Sequence, residues 1–111
     1  MAEAGSIILL GAHWCAPCMR ELRELPDLAR MVAPRPIVLA WVDRAVPVPP
    51  ALARQVTAMP VEQAHALALQ LGGQGFGLPM AVMTDGKAVS CPVWRKPLRM
   101  DSLPGFLRSC P

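Results

Sequence analysis

The sequence predicts an α/β domain, a four-stranded mixed sheet flanked by helices in the order β-α-β-α-β-β-α. Three observations predict it. Two apolar runs of strand length, SIILLGA (residues 6–12) and PIVLAWVD (residues 36–43), flank a stretch with helical periodicity. A second helical stretch, rich in Ala and Leu, covers residues 61–71. Asp85-Gly86 then sits between two short extended runs, the strongest short-range signal for a hairpin. A strand–helix–strand opening closes into a right-handed parallel unit, to which the hairpin adds an antiparallel pair.

Each element has a local cause. SIILLGA is apolar throughout, as a strand buried on both faces must be. From Cys15 onward Cys18, Leu22, Leu25, Ala29 and Val32 recur at three- and four-residue spacing. Arg20, Glu21, Arg23, Glu24 and Arg30 lie between them. Pro26 inside this pattern predicts a kink, and APRP (residues 33–36) ends it. PIVLAWVD is a second buried strand rich in β-branched residues. RAVPVPP (residues 44–50) is a rigid loop, and ALARQV (residues 51–56) has the pattern of a short helix. GGQGFG (residues 72–77) stops the helix of residues 61–71. DSLPGFLRSC (residues 101–110) closes the chain as a short helix, with Asp101 as N-cap and Pro104 in its first turn.

The totals bound what this domain does. A chain of 111 residues with 53% apolar and 17% charged residues forms one globular domain, residues 1–111, around one core. A net charge of +3, scattered basic residues and five aromatics are a poor footprint for nucleic acid. No apolar run approaches the roughly 18 residues of a membrane span. The N-terminal MAEAG is not basic and leads straight into SIILL, so no signal peptide is visible. Four cysteines in so small a chain lean toward an oxidising compartment.

The chemistry concentrates in HWCAPC, residues 13–18. Cys15 falls where the buried strand gives way to the helix. There the unpaired N–H groups and the macrodipole favour a thiolate. Cys18 lies one turn further in, on the core-facing side. That geometry divides the labour: Cys15 attacks as a thiolate and Cys18 resolves the mixed disulfide. Pro17 is tolerated in the first turn and stiffens the ring that a disulfide would close. A structural disulfide, or half of a zinc site, is the alternative for any isolated CxxC. Zinc needs four ligands, usually two such pairs. Here Cys91 and Cys110 have eighteen residues between them without a second CxxC, and the two histidines have no ligand-like spacing, so no metal is expected.

With WCAPC (residues 14–18) after a buried strand and GLP (residues 77–79) opening a hairpin some sixty residues later, the chain resembles the thioredoxin superfamily. Its closest likeness is to the TlpA/ResA-like thiol-disulfide oxidoreductases of bacterial envelopes. The similarity covers most of residues 6–110. It implies a pared-down thioredoxin fold without the leading strand and helix. It further implies that Pro79 is a cis-proline lying against the cysteine pair, and that the backbone of Leu78 pairs with the substrate chain as an added strand. Trp14 would form an apolar shelf beside Cys15; plain core and an edge-strand proline are the ordinary readings of Trp14 and Pro79.

Two positions depart from the family pattern. Thioredoxins carry a buried Asp six residues before the first cysteine, which here is Leu9, and their buried Lys on the next strand aligns with Leu39. Cys18 must then lose its proton through water or a nearer carboxylate. Glu21 matches a glutamate frequent in TlpA-like proteins, although an exposed helix glutamate is the ordinary reading. His13, two residues before Cys15, would favour the thiolate when protonated, against the default of a solvated loop histidine. His65 reads as a helix-face residue and the seven methionines as core filler, with Met80 beside the substrate. The glycines of GGQGFG follow a helix instead of preceding one, so they form no phosphate cradle, and no cofactor is expected. Cys91 and Cys110, ending the last strand and the last helix, are candidates for a structural disulfide contributing roughly 2–4 kcal/mol.

The expected function is thiol–disulfide exchange on protein substrates by a monomer, re-reduced by an upstream donor. Reduction is the favoured direction, because the Ala16-Pro17 insert is close to the Gly-Pro of thioredoxin and unlike the CPHC of strong oxidants. A disulfide oxidant or isomerase, a redox-inert partner-binding module and a zinc-binding domain are the alternatives. The expected location is the periplasm or another extracytoplasmic space, with the cytoplasm as the second choice.

Overall fold

A computed structural model describes residues 5–84 and 91–109. Its elements are β1 (Ile7–Gly11), α1 (Ala16–Arg23), α2 (Leu25–Val32), β2 (Ile37–Trp41), a 3-10 turn at Pro50–Leu52, β3 (Val56–Ala58), α3 (Val61–Gly72), β4 (Met80–Met83) and α4 (Leu103–Arg108). Among the described residues the strands form one four-stranded mixed sheet, ordered β3-β2-β1-β4. β1 and β3 each run parallel to β2, while β4 runs antiparallel to β1 with Leu10 opposite Met80.

The two faces of this sheet are sorted by the strand's two-residue period. Ile7, Leu9, Ile37, Leu39, Trp41, Ala81 and Met83 point to one side. There they join Cys15, Cys18, Leu25, Leu28, Val32, Leu98, Leu103 and Phe106 in a single cluster. Ile8, Leu10, Ala40, Met80 and Val82 point to the other side and meet Ala64 and Ala68 of α3. Those two alanines let the α3 backbone come close to the sheet. Both faces being covered explains why the β1 and β2 sequences are apolar without alternation.

The expected α/β class and four-stranded mixed sheet are present, with differences in the parts. The kinked helix is two helices parted at Glu24, where φ/ψ is −91°/2°. Pro26 is the second residue of α2. It has no N–H to donate and its ring crowds the Leu22 carbonyl, so the α-helical ladder breaks just before it. Of residues 51–56 only Ala51 and Leu52 are helical, in the 3-10 turn, and the rest do not continue the expected helix. The chain instead enters the sheet, placing Val56 opposite Ile37 and burying it, while Gln55 Nε2 donates to the carbonyls of Ala29 (2.8 Å) and Arg35 (3.0 Å).

The fourth strand is therefore β3, where the sequence suggests the far arm of a hairpin. Asp85 and Gly86 lie outside the described residues, and beyond them the chain touches β4 through one antiparallel bridge between Trp94 and Ala81. Asp101 does not cap α4. Ser102 occupies the N-cap position, and its hydroxyl bonds to Arg99 instead of the helix, while Pro104 does lie in the first turn. Peptide bonds Ala33–Pro34 and Leu78–Pro79 are cis.

Candidate active site

Four local devices build the site at the C-terminal ends of β1 and β2. The first is the turn that follows β1. The Cys15 N–H donates to the Ala12 carbonyl at 3.2 Å, which places His13 and Trp14 at the turn's two central positions. Cys15 is then the N-cap of α1, in extended conformation, and Pro17 lies in the first helical turn. Cys15 and Cys18 are joined by a disulfide across a Cα–Cα distance of 5.2 Å. The Cys18 N–H donates to Cys15 Sγ at 3.3 Å, so a helix N-terminal amide is directed at the sulfur expected to carry negative charge. Cys18 is fully buried and Cys15 is 5% exposed, which leaves only the outer cysteine open to attack.

The second device is Gly11. A Cβ at this position would come within 2.8 Å of the Trp41 ring and 2.9 Å of Cys18 Cβ. The absent side chain lets the first turn of α1 rest on the β1 backbone with Trp41 beside it. Neither Gly11 nor Trp41 was among the sequence candidates. A glycine interrupting an apolar strand is the signal that marks such a close approach.

The third device is Glu21, where the ordinary reading fails. Its side chain is not exposed: the residue is 3% accessible and is the one charged residue buried among the described residues. The Leu98 N–H donates to Glu21 Oε2 at 2.5 Å. Oε1 is buried without a hydrogen-bond partner. Burial pushes this carboxyl up to about 7 from 4.5, opposed by the Leu98 N–H and reinforced by Glu24. Glu21 is three residues from Cys18 on α1, hence on the same helix face.

The fourth device is His13, which is not a solvated loop residue either. Its N–H donates to Asp43 Oδ2 at 2.7 Å, and its Nδ1 lies 3.1 Å from Asp43 Oδ1. Sequence reasoning gave Asp43 no part in the site. The two side chains are 18% and 26% exposed. Desolvation works against the Asp43 carboxylate, but hydrogen bonds from the His13 ring and backbone and from the Arg44 N–H outweigh it and lower its pKa.

The remaining candidates fall around this core. Trp14 is 68% exposed, so it is not core. Pro79 is buried, immediately before β4. Because Met80 lies opposite Leu10, the Leu78–Pro79 step is brought to the same end of β1 as the cysteine pair. Leu78 packs against both core clusters. Leu9 and Leu39 are buried in the cluster that holds Cys15 and Cys18, so the sheet beneath the pair is apolar. Met80 is fully buried against α3, a core residue and not a surface for substrate. His65 is exposed on α3 and meets the Phe76 ring edge-on at 5.8 Å.

Cys91 is buried and is not a free thiol. Cys110 lies outside the described residues. Among the described residues no three His, Cys, Asp or Glu side chains converge as a metal site would need, and no helix is long and apolar enough to cross a membrane.

The element order, the mixed sheet and a disulfide-linked CxxC directly after β1 are consistent with a thioredoxin-like fold. No protein-family model matches the chain, and no curated protein matches it.

Proposed function

We propose that the protein is a thiol–disulfide oxidoreductase that reduces disulfides of protein substrates through Cys15 and Cys18. The Cys15–Cys18 disulfide, formed at a helix N-terminus with its outer sulfur accepting an amide N–H, is the observation that carries this reading. In the reduced protein the Cys15 thiolate attacks one sulfur of the substrate disulfide. A mixed disulfide forms, and the other substrate sulfur leaves as a thiolate and takes up a proton. Cys18 then loses its proton and attacks Cys15 Sγ. The Cys15–Cys18 disulfide closes and the second substrate thiolate leaves and is protonated. Two electrons pass to the substrate, and an upstream dithiol donor restores the reduced pair.

Glu21 is the nearest carboxylate on the helix face of Cys18, and a group that ionises at about 7 suits proton transfer at neutral pH. Leu78 and Pro79 supply the backbone against which an extended substrate would lie, with exposed Trp14 as its apolar shelf. The TlpA/ResA-like relationship, the extracytoplasmic location and a Cys91–Cys110 staple belong to the same reading. A reductase outside the cytoplasm would carry one exchangeable and one structural disulfide.

The test is a redox equilibrium in graded dithiothreitol buffers, with thiols trapped by alkylation and located by peptide mass. A reductase gives a Cys15–Cys18 couple near the thioredoxin value of about −270 mV, whereas a value near −120 mV would make the protein an oxidant. A Cys18→Ser variant should hold substrate proteins through Cys15. A pair that never exchanges between dithiol and disulfide would leave only the alternative of a redox-inert binding module.

A further inference from the structure

His13 and Asp43 stand thirty residues apart in sequence, yet the sheet brings them together at the mouth of the site. Asp43 follows β2, and the Val42 N–H still donates to the Gly11 carbonyl at 2.9 Å, so the strand exits remain side by side. Both carboxylate oxygens of Asp43 are used. Oδ2 accepts the His13 backbone N–H at 2.7 Å; Oδ1 meets His13 Nδ1 at 3.1 Å and accepts the Arg44 N–H at 2.8 Å.

This arrangement makes the two ring nitrogens unequal. An ionised carboxylate cannot donate, so the proton between it and the ring belongs to Nδ1. In the neutral ring Nε2 is then the nitrogen with an open lone pair. The Cys15 N–H bond to the Ala12 carbonyl places His13 in the same four-residue turn as Cys15.

We propose that His13, oriented by Asp43, is the acid–base group that serves Cys15, with Asp43 as its positioning residue. The inference rests on the reading of Cys15 as nucleophile. In the reduced protein the Cys15 thiol proton passes to His13 Nε2, leaving a thiolate beside an imidazolium that the Asp43 carboxylate stabilises. The thiolate attacks the substrate disulfide, and the departing substrate thiolate takes the proton from Nε2, returning His13 to neutral. One proton has moved from Cys15 to substrate, with no other reactant. Glu21 keeps its separate place at Cys18, deeper in the helix.

The charged groups on the surrounding elements are Arg20, Glu21 and Arg23 of α1 and Arg44 after β2; Leu78, Pro79 and Met80 at the start of β4 carry none. All remain in a His13 variant, so their contributions cancel in a comparison with the parent protein.

The test is the rate of Cys15 alkylation by iodoacetamide in the reduced protein as a function of pH. His13→Gln should react about tenfold more slowly at about pH 6 and within about twofold of the parent at about pH 9.5, where the thiolate forms unaided. Asp43→Asn, which keeps one acceptor oxygen but loses the other acceptor and the charge, should fall between the two at low pH. A His13→Gln profile that overlays the parent, or that falls by one factor at every pH, overturns the proposal. An Asp43→Asn profile identical to the parent removes Asp43 from it.

The parent protein gives a second measurement that needs no variant, because it has two histidines and His65 lies on α3. Reduction of the cysteine pair should move the His13 ring resonances, and leave those of His65 in place. Identical His13 behaviour in both redox states refutes the inference. If the cysteine pair cycles normally while His13 is indifferent, only this inference falls. If the pair does not cycle at all, the oxidoreductase reading falls with it.

Discussion

Glu21→Gln isolates the thermodynamic consequence of burying a carboxyl inside α1. In the folded protein that carboxyl ionises at about 7, against 4.5 for the ordinary group, with desolvation as the main cause. The folded state therefore holds the proton more tightly than the unfolded chain. Glu21 does not reduce stability below about pH 4.5; the deficit grows as pH rises and is complete once pH exceeds about 7. At about 1.4 kcal/mol per pH unit over that interval, the loss is about 3 kcal/mol. Gln cannot ionise, keeps an oxygen for the Leu98 N–H, and has nearly the same volume.

The assay is urea unfolding of the oxidised protein at about pH 4.5 and about pH 8, parent against Glu21→Gln. The two should be equal to within about 1 kcal/mol in acid. At the higher pH the variant should be the more stable by about 3 kcal/mol, and taking the difference cancels every other titrating group. Asp43 has the opposite sign and a separate window. Its pKa is lowered from 3.8, so its contribution is present above that value and lost only as pH falls further. A stability difference between parent and variant that is the same at both pH values would refute the buried-carboxyl account.

Three further outcomes follow from packing and covalent structure. Gly11→Ala should lose roughly 1–3 kcal/mol in urea unfolding, because its Cβ meets the Trp41 ring and Cys18 Cβ; a neutral result would mean that α1 can lift off β1 freely. Gln55→Ala should cost roughly 1–3 kcal/mol, since its amide serves two carbonyls at the end of α2 and the turn after it, and unchanged stability would show that water replaces it. Cys91→Ala should lower stability by roughly 2–4 kcal/mol under oxidising conditions, with most of the difference disappearing in reductant; a difference indifferent to reductant would assign the loss to packing alone.

What could be foreseen from the sequence was local. The strands around residues 6–12 and 36–43 announce themselves because both faces of the sheet are covered, leaving no polar alternation to confuse them. The cysteine pair is legible for a similar reason: a strand end, a helix start and a proline in the first turn are all set within a few residues. β3 was not legible. It has three residues, only Val56 of them is buried, and its place is fixed by pairing with β2. The burial of Glu21 was not legible because its hydrogen-bond partner, the Leu98 N–H, is 77 residues away. Asp43 ended an expected strand, but nothing near it in sequence indicates that His13 will dock on it across 30 residues.

The apolar floor of the site explains why its protonatable groups lie where they do. Leu9, Leu39 and Trp41 fill the sheet beneath the cysteines, and Gly11 brings the helix down onto them, so a carboxylate on the sheet would lack both space and hydrogen-bond donors. The positions left are the helix face beyond Cys18, which Glu21 takes under the Leu98 amide, and the strand exits, which His13 and Asp43 take. On the oxidoreductase reading, each sulfur then has its own proton partner. His13→Gln should slow formation of the mixed disulfide while leaving its lifetime unchanged. Glu21→Gln should lengthen that lifetime by roughly a hundredfold, the usual lower range for losing a general base, without changing Cys15 alkylation. Quenched-flow capture of the mixed disulfide with a peptide substrate measures both steps in one experiment. If either variant changes both steps equally, the two partners are not separate and the division of the site is wrong.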